Sequence, residues 1–399
     1  NTYDNYGDLL SSTDQIGNTV AYTYLCANDR LASVTDAKGN MTVYGYDGKG
    51  NLTSASYADG TVESVAYDPI GNVLSATDRK GQVTQYTHDP AGNVLTAHFA
   101  DGTQTTFTYD AHENLTSATD ASGTTTLIYD ANDRLTKITY PSGRFLQYSY
   151  DSVGRRTQMV DQTGFTVNYT YDALGNLSTL TDGSGGLIVQ YTYDILGRLS
   201  REDHGNGTYV TYAYDSAGEL LHLINYAPDG SVNSHFDYTY DSLGRRITEA
   251  TVDGAWAYTY DAIGQLTHAV FTSTNVNIAN QDLAYFYDAA GNRTQTIING
   301  VTTTYTTNNM NEYTQVGNTT YQYDANGNQI SATNPDGTTT YAFNVRNQLV
   351  GVTNTGGSWT YQYDAFGNRS ASTQGGVTTQ FLIDPASPNH VVSSIDVAT

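Results

Sequence analysis

Carboxylates dominate the reactive side chains of this sequence, with 40 Asp and Glu against 17 Lys and Arg, eight His and one Cys. Paired carboxylates can share a proton or hold a cation, so the recurring Asp residues are the first place to look for chemistry. An Asp that returns at turn after turn is better suited to accepting hydrogen bonds from backbone amides. Asp324, Asn326 and Asn328 alternate as in a calcium loop, but the glycine at the sixth position and the glutamate at the twelfth are absent. The histidines, at 88, 98, 112, 204, 222, 235, 268 and 390, lack metal-ligand spacing. Cys26 has no neighbouring base or cation in sequence to activate it and no second cysteine to pair with. No nucleophile elbow, P-loop or dinucleotide fingerprint is present. The residues give no catalytic, cofactor or metal site and point to a protein that is not an enzyme.

What the Asp residues share is a heading, Tyr-Asp-x-x-Gly-Asn/Arg-Leu, repeated along the whole chain. Tyr-Asp stands at 3, 46, 67, 109, 129, 150, 171, 193, 214, 240, 260, 287, 323 and 363. The clearest copies are Tyr46-Asp47 with Gly50, Tyr67-Asp68, Tyr109-Asp110, Tyr150-Asp151, Tyr171-Asp172, Tyr193-Asp194, Tyr214-Asp215 and Tyr363-Asp364. Five altered headings, Leu25-Cys26, His88-Asp89, Thr307-Asn308, Phe343-Asn344 and Ile383-Asp384, bring the array to nineteen copies. Spacing is mostly 20 to 22 residues, with long steps that read as extended hairpins at 215–239 and 261–286 and a short step from Thr307 to Tyr323. The expectation is one continuous array over 1–399 that is part of a longer protein.

Within a copy, residues alternate as in strands and two kinds of turn punctuate them. In the copy from Leu177 to Tyr193, a strand from Leu177 to Asp182 leads to a glycine turn at 183–186. A second strand from Ile188 to Tyr193 follows. Asp at the first turn position caps amides, and Gly further on accepts the left-handed conformation. Ten headings carry a second Tyr two residues earlier, as in Tyr44/Tyr46 and Tyr361/Tyr363, and period two puts both rings on one face. Stacked copies would then form an aromatic ladder. Most of the 35 Tyr are accounted for in this way, as packing elements.

Composition agrees with many short strands: 38 Gly, 12% aromatic and only 14% charged residues. A net charge of -23 repels a phosphate backbone, which argues against nucleic acid as a partner. No apolar run is long enough to span a membrane, and Asn1 is followed by neither a basic nor an apolar leader. The Asn-x-Ser/Thr sequons, such as Asn51-Leu52-Thr53, are by-products of the heading turn.

The phased heading resembles that of the RHS/YD-repeat family, which includes bacterial Rhs polymorphic toxins, shell proteins of insecticidal toxin complexes, wall-associated proteins and teneurins. The resemblance implies an all-β fold, in which YD-repeat hairpins form a spiralling antiparallel sheet that is part of a hollow shell. In the toxin relatives that shell encloses a C-terminal cytotoxic region. The stretch Phe381-Leu382-Ile383-Asp384-Pro385-Ala386-Ser387-Pro388 looks like the Leu-x-Asp-x-x-x-Pro segment after the last regular repeat of Rhs proteins. Asp384-Pro385 lacks the glycine of the family's core motif and is not read as catalytic; core and toxin lie outside this sequence.

Three functional expectations follow. The first is a secreted or surface-exposed bacterial scaffold, without cofactor, that encloses or presents a flanking or encapsulated polypeptide of the same protein. The second is an adhesin-like surface for glycan or a neighbouring cell, with Trp256 and Trp359 as the aromatics to stack on sugar. The third is a self-associating filament joined through the unpaired sheet ends.

Overall fold

The computed structural model of the chain describes residues 1–25, 29–385 and 391–398. Cys26, the Ala386 to Pro388 stretch and His390 lie outside the described residues. Thirty-eight strands and no helix are found among those described. In the copy taken as an example the strands are Leu177–Asp182 and Leu187–Tyr193, one residue longer at the second start than alternation predicts. The extended hairpins pair Leu220–Tyr226 with Val232–Tyr240, and Leu266–Ser273 with Gln281–Tyr287.

Strands pair antiparallel with their neighbours in sequence, as short local turns dictate: two residues between Asp120 and Gly123 and between Asn334 and Gly337, four between Asp182 and Leu187, and five at a heading such as Tyr46 to Leu52. A register shift recurs beside the heading Tyr, between Gly45 and Tyr46, Thr170 and Tyr171, Thr192 and Tyr193, and Gln362 and Tyr363. Such a bulge puts two residues of the following strand opposite one of the heading strand, sharpens the twist, and leaves backbone groups outside the ladder.

The chain forms two compact units. The first comprises Asn1–Phe145, Tyr287–Thr294 and Thr304–Thr399; the second comprises Leu146–Phe286 and Gln295–Thr303. In both, the two faces of the strands differ in kind. Residues preceding the heading Tyr form an exposed hydroxyl face, with Thr170 against Thr179 and Thr239 against Thr248 at 2.5 Å and Thr108 against Ser117 at 2.6 Å. The opposite face carries the half-buried rings.

Small residues lie beneath those rings. Tyr44 faces Ala55, Tyr86 faces Ala97 and Tyr258 faces Ala269, and all three alanines are buried. A ring laid over a methyl group excludes water from both without a second layer of structure. The accessible surface is 21530 Å², against about 15,000 Å² for a compact protein of this mass. The excess follows from strands covered by their own neighbours rather than by an opposing sheet.

The expected ring-on-ring ladder is not what joins successive copies. Tyr46, Tyr171, Tyr193, Tyr240 and Tyr260 make no ring–ring contact; aromatic pairs occur elsewhere, as between Tyr209 and Tyr226, whose centroids are 4.5 Å apart. Neighbouring headings are two strands apart, about 10 Å, which is too far for stacking.

Replacing Ala269 by Leu is expected to displace the Tyr258 ring and cost about 1–3 kcal/mol, read as a lower urea midpoint. Ala257→Thr on the exposed hydroxyl face is the matched control and is expected to stay within about 0.5 kcal/mol of the parent.

Candidate functional site

The heading turn is built around one carboxylate. Asp47 Oδ1 accepts the N–H groups of Lys49 at 2.9 Å, Gly50 at 2.7 Å and Asn51 at 2.9 Å, and Oδ2 accepts Asn51 Nδ2 at 2.9 Å. Gly50, at φ 91°, supplies the left-handed residue that brings these groups together. The Asn51 amide, joined by the turn N–H groups, holds the Asp47 carboxyl below its usual range. Asp172 is held down in the same way, foremost by Asn176.

Where the fifth turn residue is Arg, it binds the same oxygen and reaches the next copy. Arg198 Nε donates to Asp194 Oδ2 at 2.7 Å, its Nη1 donates to the Asp215 carbonyl at 3.0 Å, and its guanidinium lies 4.6 Å from the Tyr214 ring centre. Arg245 repeats this with Asp241, the Asp261 carbonyl and the Tyr260 ring. Two altered headings keep the cap and reverse only its side-chain link. Asn308 and Asn344 accept the turn amides through Oδ1, and their Nδ2 groups donate to Glu312 Oε2 and Gln348 Oε1. A carboxylate is matched by a donor and a carboxamide by an acceptor.

The Tyr hydroxyl makes the other link. Tyr67 donates to the Leu52 carbonyl at 2.9 Å, Tyr171 to Arg156 at 2.8 Å, Tyr193 to Leu177 at 2.8 Å and Tyr363 to Leu349 at 2.7 Å. Each acceptor begins the strand after the preceding heading, where the ladder to the next hairpin has not yet started: Leu52 precedes the pairing that opens at Ser54 and Ser64. The hydroxyl thus satisfies a carbonyl that the bulge leaves without a ladder partner.

Within the first unit, turns from opposite ends of the sequence meet along a seam. The ends of the hairpins opposite the headings, over 36–144, lie against headings over 288–384. Lys38 Nζ binds Asp288 Oδ2 at 3.0 Å and Thr307 Oγ1 at 2.7 Å; Asn311 Nδ2 donates to Asp36 Oδ2 at 3.0 Å. Asn309 Nδ2 donates to the Ala58 carbonyl at 2.7 Å, and Asn326 Nδ2 to Asp78 Oδ2 at 2.7 Å, with Lys80 Nζ 3.3 Å from Asp324 Oδ2. Farther along, Arg346 covers the Phe99 ring, Tyr140 donates to the Ile383 carbonyl, and Arg144 Nη2 reaches Ser393 Oγ at 2.6 Å. Burial opposes ionisation of Asp288, but Lys38 and Asn292 outweigh it and the carboxyl stays below its usual range. Asp364 is the exception: burial pushes it up, Asp120 adds to the rise, and the N–H groups of Asn368 and Phe366 offset it only in part.

Sequence inspection missed the residues that tie adjacent headings, two of them at this seam. At the turn position normally held by Gly, Asn311 and Asn347 adopt φ 61° and 57°, and Asp133 does so at 59°. Each accepts the Asn Nδ2 of the previous heading: Asn292 at 2.8 Å, Asn328 at 2.9 Å and Asn114 at 2.8 Å. The signal was a non-glycine where the backbone favours glycine, tolerated because its side chain makes a bond that glycine cannot.

The other residues singled out in sequence are dispersed. Asp324 accepts Asn328 Nδ2 while Asn326 Nδ2 turns to Asp78, so the supposed calcium ligands present N–H groups to carboxylates rather than oxygens to an ion. Asp237 joins His222 and His235 at 2.6 and 2.9 Å, and no group of three His, Cys, Asp or Glu placed to hold a metal occurs among the described residues. Trp256 packs against Tyr258 and Phe271, with ring centroids at 6.1 and 5.1 Å; Trp359 faces Val352 and Gln374 across the strands. Asp384 and Asp364 are buried. No helix among the described residues is long and apolar enough to cross a membrane.

Comparison with known proteins gives a family and a fold. The family model described as Teneurin YD-shell matches residues 61–214 and 251–382, more than half of the chain, and that described as RHS Repeat matches residues 27–62. The crystal structure of TcdB2-TccC3-TEV is similar, with a TM-score of 0.79 and 18% identity over 96% of this chain and 24% of that one. That of TcdB2-TccC3-Cdc42 has a TM-score of 0.79 and 17% identity over 99% and 25%. A Tc holotoxin pore structure from Photorhabdus luminescens has a TM-score of 0.50 and 16% identity over 95% and 27%. The chain therefore spans about a quarter of the length of these structures. A search of curated proteins returns no match.

Tyr171→Phe removes the hydroxyl hydrogen bond to the Arg156 carbonyl and is expected to cost about 1 kcal/mol in urea unfolding. The two kinds of Asp give opposite pH behaviour. Asp172, held down by folding, contributes stability above the unfolded carboxyl pKa of about 3.9 that disappears as pH falls through its folded value. Asp364, pushed up, contributes fully below about 3.9 and loses that contribution as pH rises through its folded value. At neutral pH, thermal unfolding is expected to show Asp172→Asn destabilised and Asp364→Asn stabilised.

Proposed function

This chain belongs to the Teneurin YD-shell family, and we propose that it is a non-catalytic segment of a secreted or surface shell wall that encloses or presents a flanking polypeptide of the same protein. The whole of 1–399 is read as one array of headings, in which hydroxyls such as those of Tyr67, Tyr171, Tyr193 and Tyr363 tie a heading to the copy before it. The seam of the first unit is the observation that carries this reading. Hairpin ends near Lys38, Lys80 and Phe99 meet headings near Asp288, Asp324 and Arg346, about 250 residues later, which is the contact a coiled wall needs between one turn and the next. Turn-to-turn contact through short polar side chains lets a sheet extend without exposing strand edges to neighbouring molecules.

The placement of Trp256 favours a container over an adhesin. Trp256 has Tyr258 parallel to it and Phe271 tilted against it, so its aromatic surface is already engaged.

The test is protease protection of the protein produced with the polypeptide that follows it in its gene. Intact wall is expected to protect that polypeptide, and Lys38→Glu with Lys80→Glu, which places like charges across the seam, is expected to expose it while the single-chain fold is retained by circular dichroism. Equal cleavage of parent and variant, or electron microscopy showing a filled sandwich without a lumen, would overturn the reading.

A further inference from the structure

One hairpin of the first unit carries valine where the hairpins on either side carry a ring. Two residues before Tyr67 stands Val65, in the place that Tyr44 takes before Tyr46 and Tyr86 takes before His88. Val65 faces Ala76 across the strands just as Tyr44 faces Ala55, Tyr86 faces Ala97 and Phe107 faces Ala118. Ala55, Ala97 and Ala118 are buried under their rings, whereas Ala76 is only partly covered.

Val65 and Ala76 line a cavity of about 390 Å³, together with Glu63, Tyr86, Phe99 and Arg346. Strand alternation puts Glu63, Val65, Ala76 and Tyr86 on the face that carries the rings. Arg346 and Phe99 border the cavity at the seam, where the guanidinium lies 5.3 Å from the Phe99 ring centre and Nη2 donates to the Ala365 carbonyl at 3.2 Å. The lining runs from Leu52 to Asn347 and includes neither end of the chain.

An apolar cavity of roughly 150 Å³ is enough to hold benzene, so this one has room for a ring with a substituent. Glu63 selects the substituent. Its Oε1 accepts the Tyr57 hydroxyl, and burial, with Glu63 beside it, pushes that hydroxyl up to about 12, so the Tyr57 proton stays in place at neutral pH. The second carboxylate oxygen remains to accept a hydrogen bond, two residues from Val65 on the same face. A ring laid over Val65 and Ala76 with an O–H or N–H at its edge meets both requirements. An anionic ligand would meet the Glu63 carboxylate in a chain of net charge -23.

We propose that the cavity over Val65 and Ala76 is a binding site for a single aromatic ring that bears a hydrogen-bond donor, a phenol or an indole, with Glu63 as its acceptor. The ligand supplies to this hairpin the cover that Tyr44 and Tyr86 give to the hairpins beside it, and the site is independent of what the wall surrounds.

Calorimetric titration of the whole chain with p-cresol is expected to show one saturable site with a dissociation constant of about 1 mM or tighter. Toluene, the same ring without the donor, is expected to bind at least about fivefold more weakly. In NMR spectra p-cresol is expected to shift the methyl resonances of Val65 and Ala76 and to leave that of Val43, on the hydroxyl face, in place. Val65→Tyr, which brings a ring of the chain's own into the cavity, is expected to abolish binding. Glu63→Gln, which turns the free acceptor into a donor, is expected to lower p-cresol to the level of toluene; circular dichroism reports whether each variant is folded. No binding of p-cresol up to about 10 mM, equal affinity for p-cresol and toluene, methyl shifts away from Val65 and Ala76, or a folded Val65→Tyr variant that binds as the parent does would overturn the proposal.

Discussion

A sheet with no opposing layer must satisfy its backbone and exclude water using only what each strand brings with it. In this protein the hydrogen bonds of one side-chain oxygen to the turn amides meet the first requirement at heading after heading, as Asp47 does for Lys49, Gly50 and Asn51 and Asn308 does for Met310 and Glu312. The geometry fixes where the bulge falls, the bulge fixes which carbonyl is left outside the ladder, and the Tyr hydroxyl of the next copy takes that carbonyl. Removing the cap would therefore disturb the neighbouring copy as well as its own.

Coupling of this kind makes stability a sum of local terms and nearest-neighbour links rather than the property of one core. It also explains how copies drift without losing the fold. Asn308 and Asn344 replace the carboxylate, but Glu312 and Gln348 replace the donor opposite it: the turn amides still donate to Oδ1, and the side-chain bond survives with its direction reversed. Arg at the same position adds a cation over the next Tyr ring, so the electrostatic and aromatic links share one side chain.

The seam uses a different economy. Its contacts are few, polar and placed at turn tips, and two lysines supply positive charge where heading carboxylates would otherwise face the acidic turns of another part of the sheet. Asn311 and Asn347 accept a left-handed backbone to bridge from one heading to the next, which stiffens the row of tips that docks. A wall assembled from such contacts can carry variable turns elsewhere.

Local structure was legible in the residues themselves. Period-two alternation gave the strands, Asp and Gly gave the turns, and the constant spacing of Tyr-Asp gave the array, because each depends on interactions within one or two copies. The strand from Leu177 to Asp182 and the extended hairpin ending at Tyr240 could be placed for that reason. Tertiary structure decided the rest: that the heading rings are joined through hydroxyls and guanidinium groups rather than by stacking, that Lys38 meets Asp288, and that Asp364 is buried beside like charge. These depend on twist accumulated over about ten hairpins, a quantity that no single copy encodes and that small changes at each bulge add up to set.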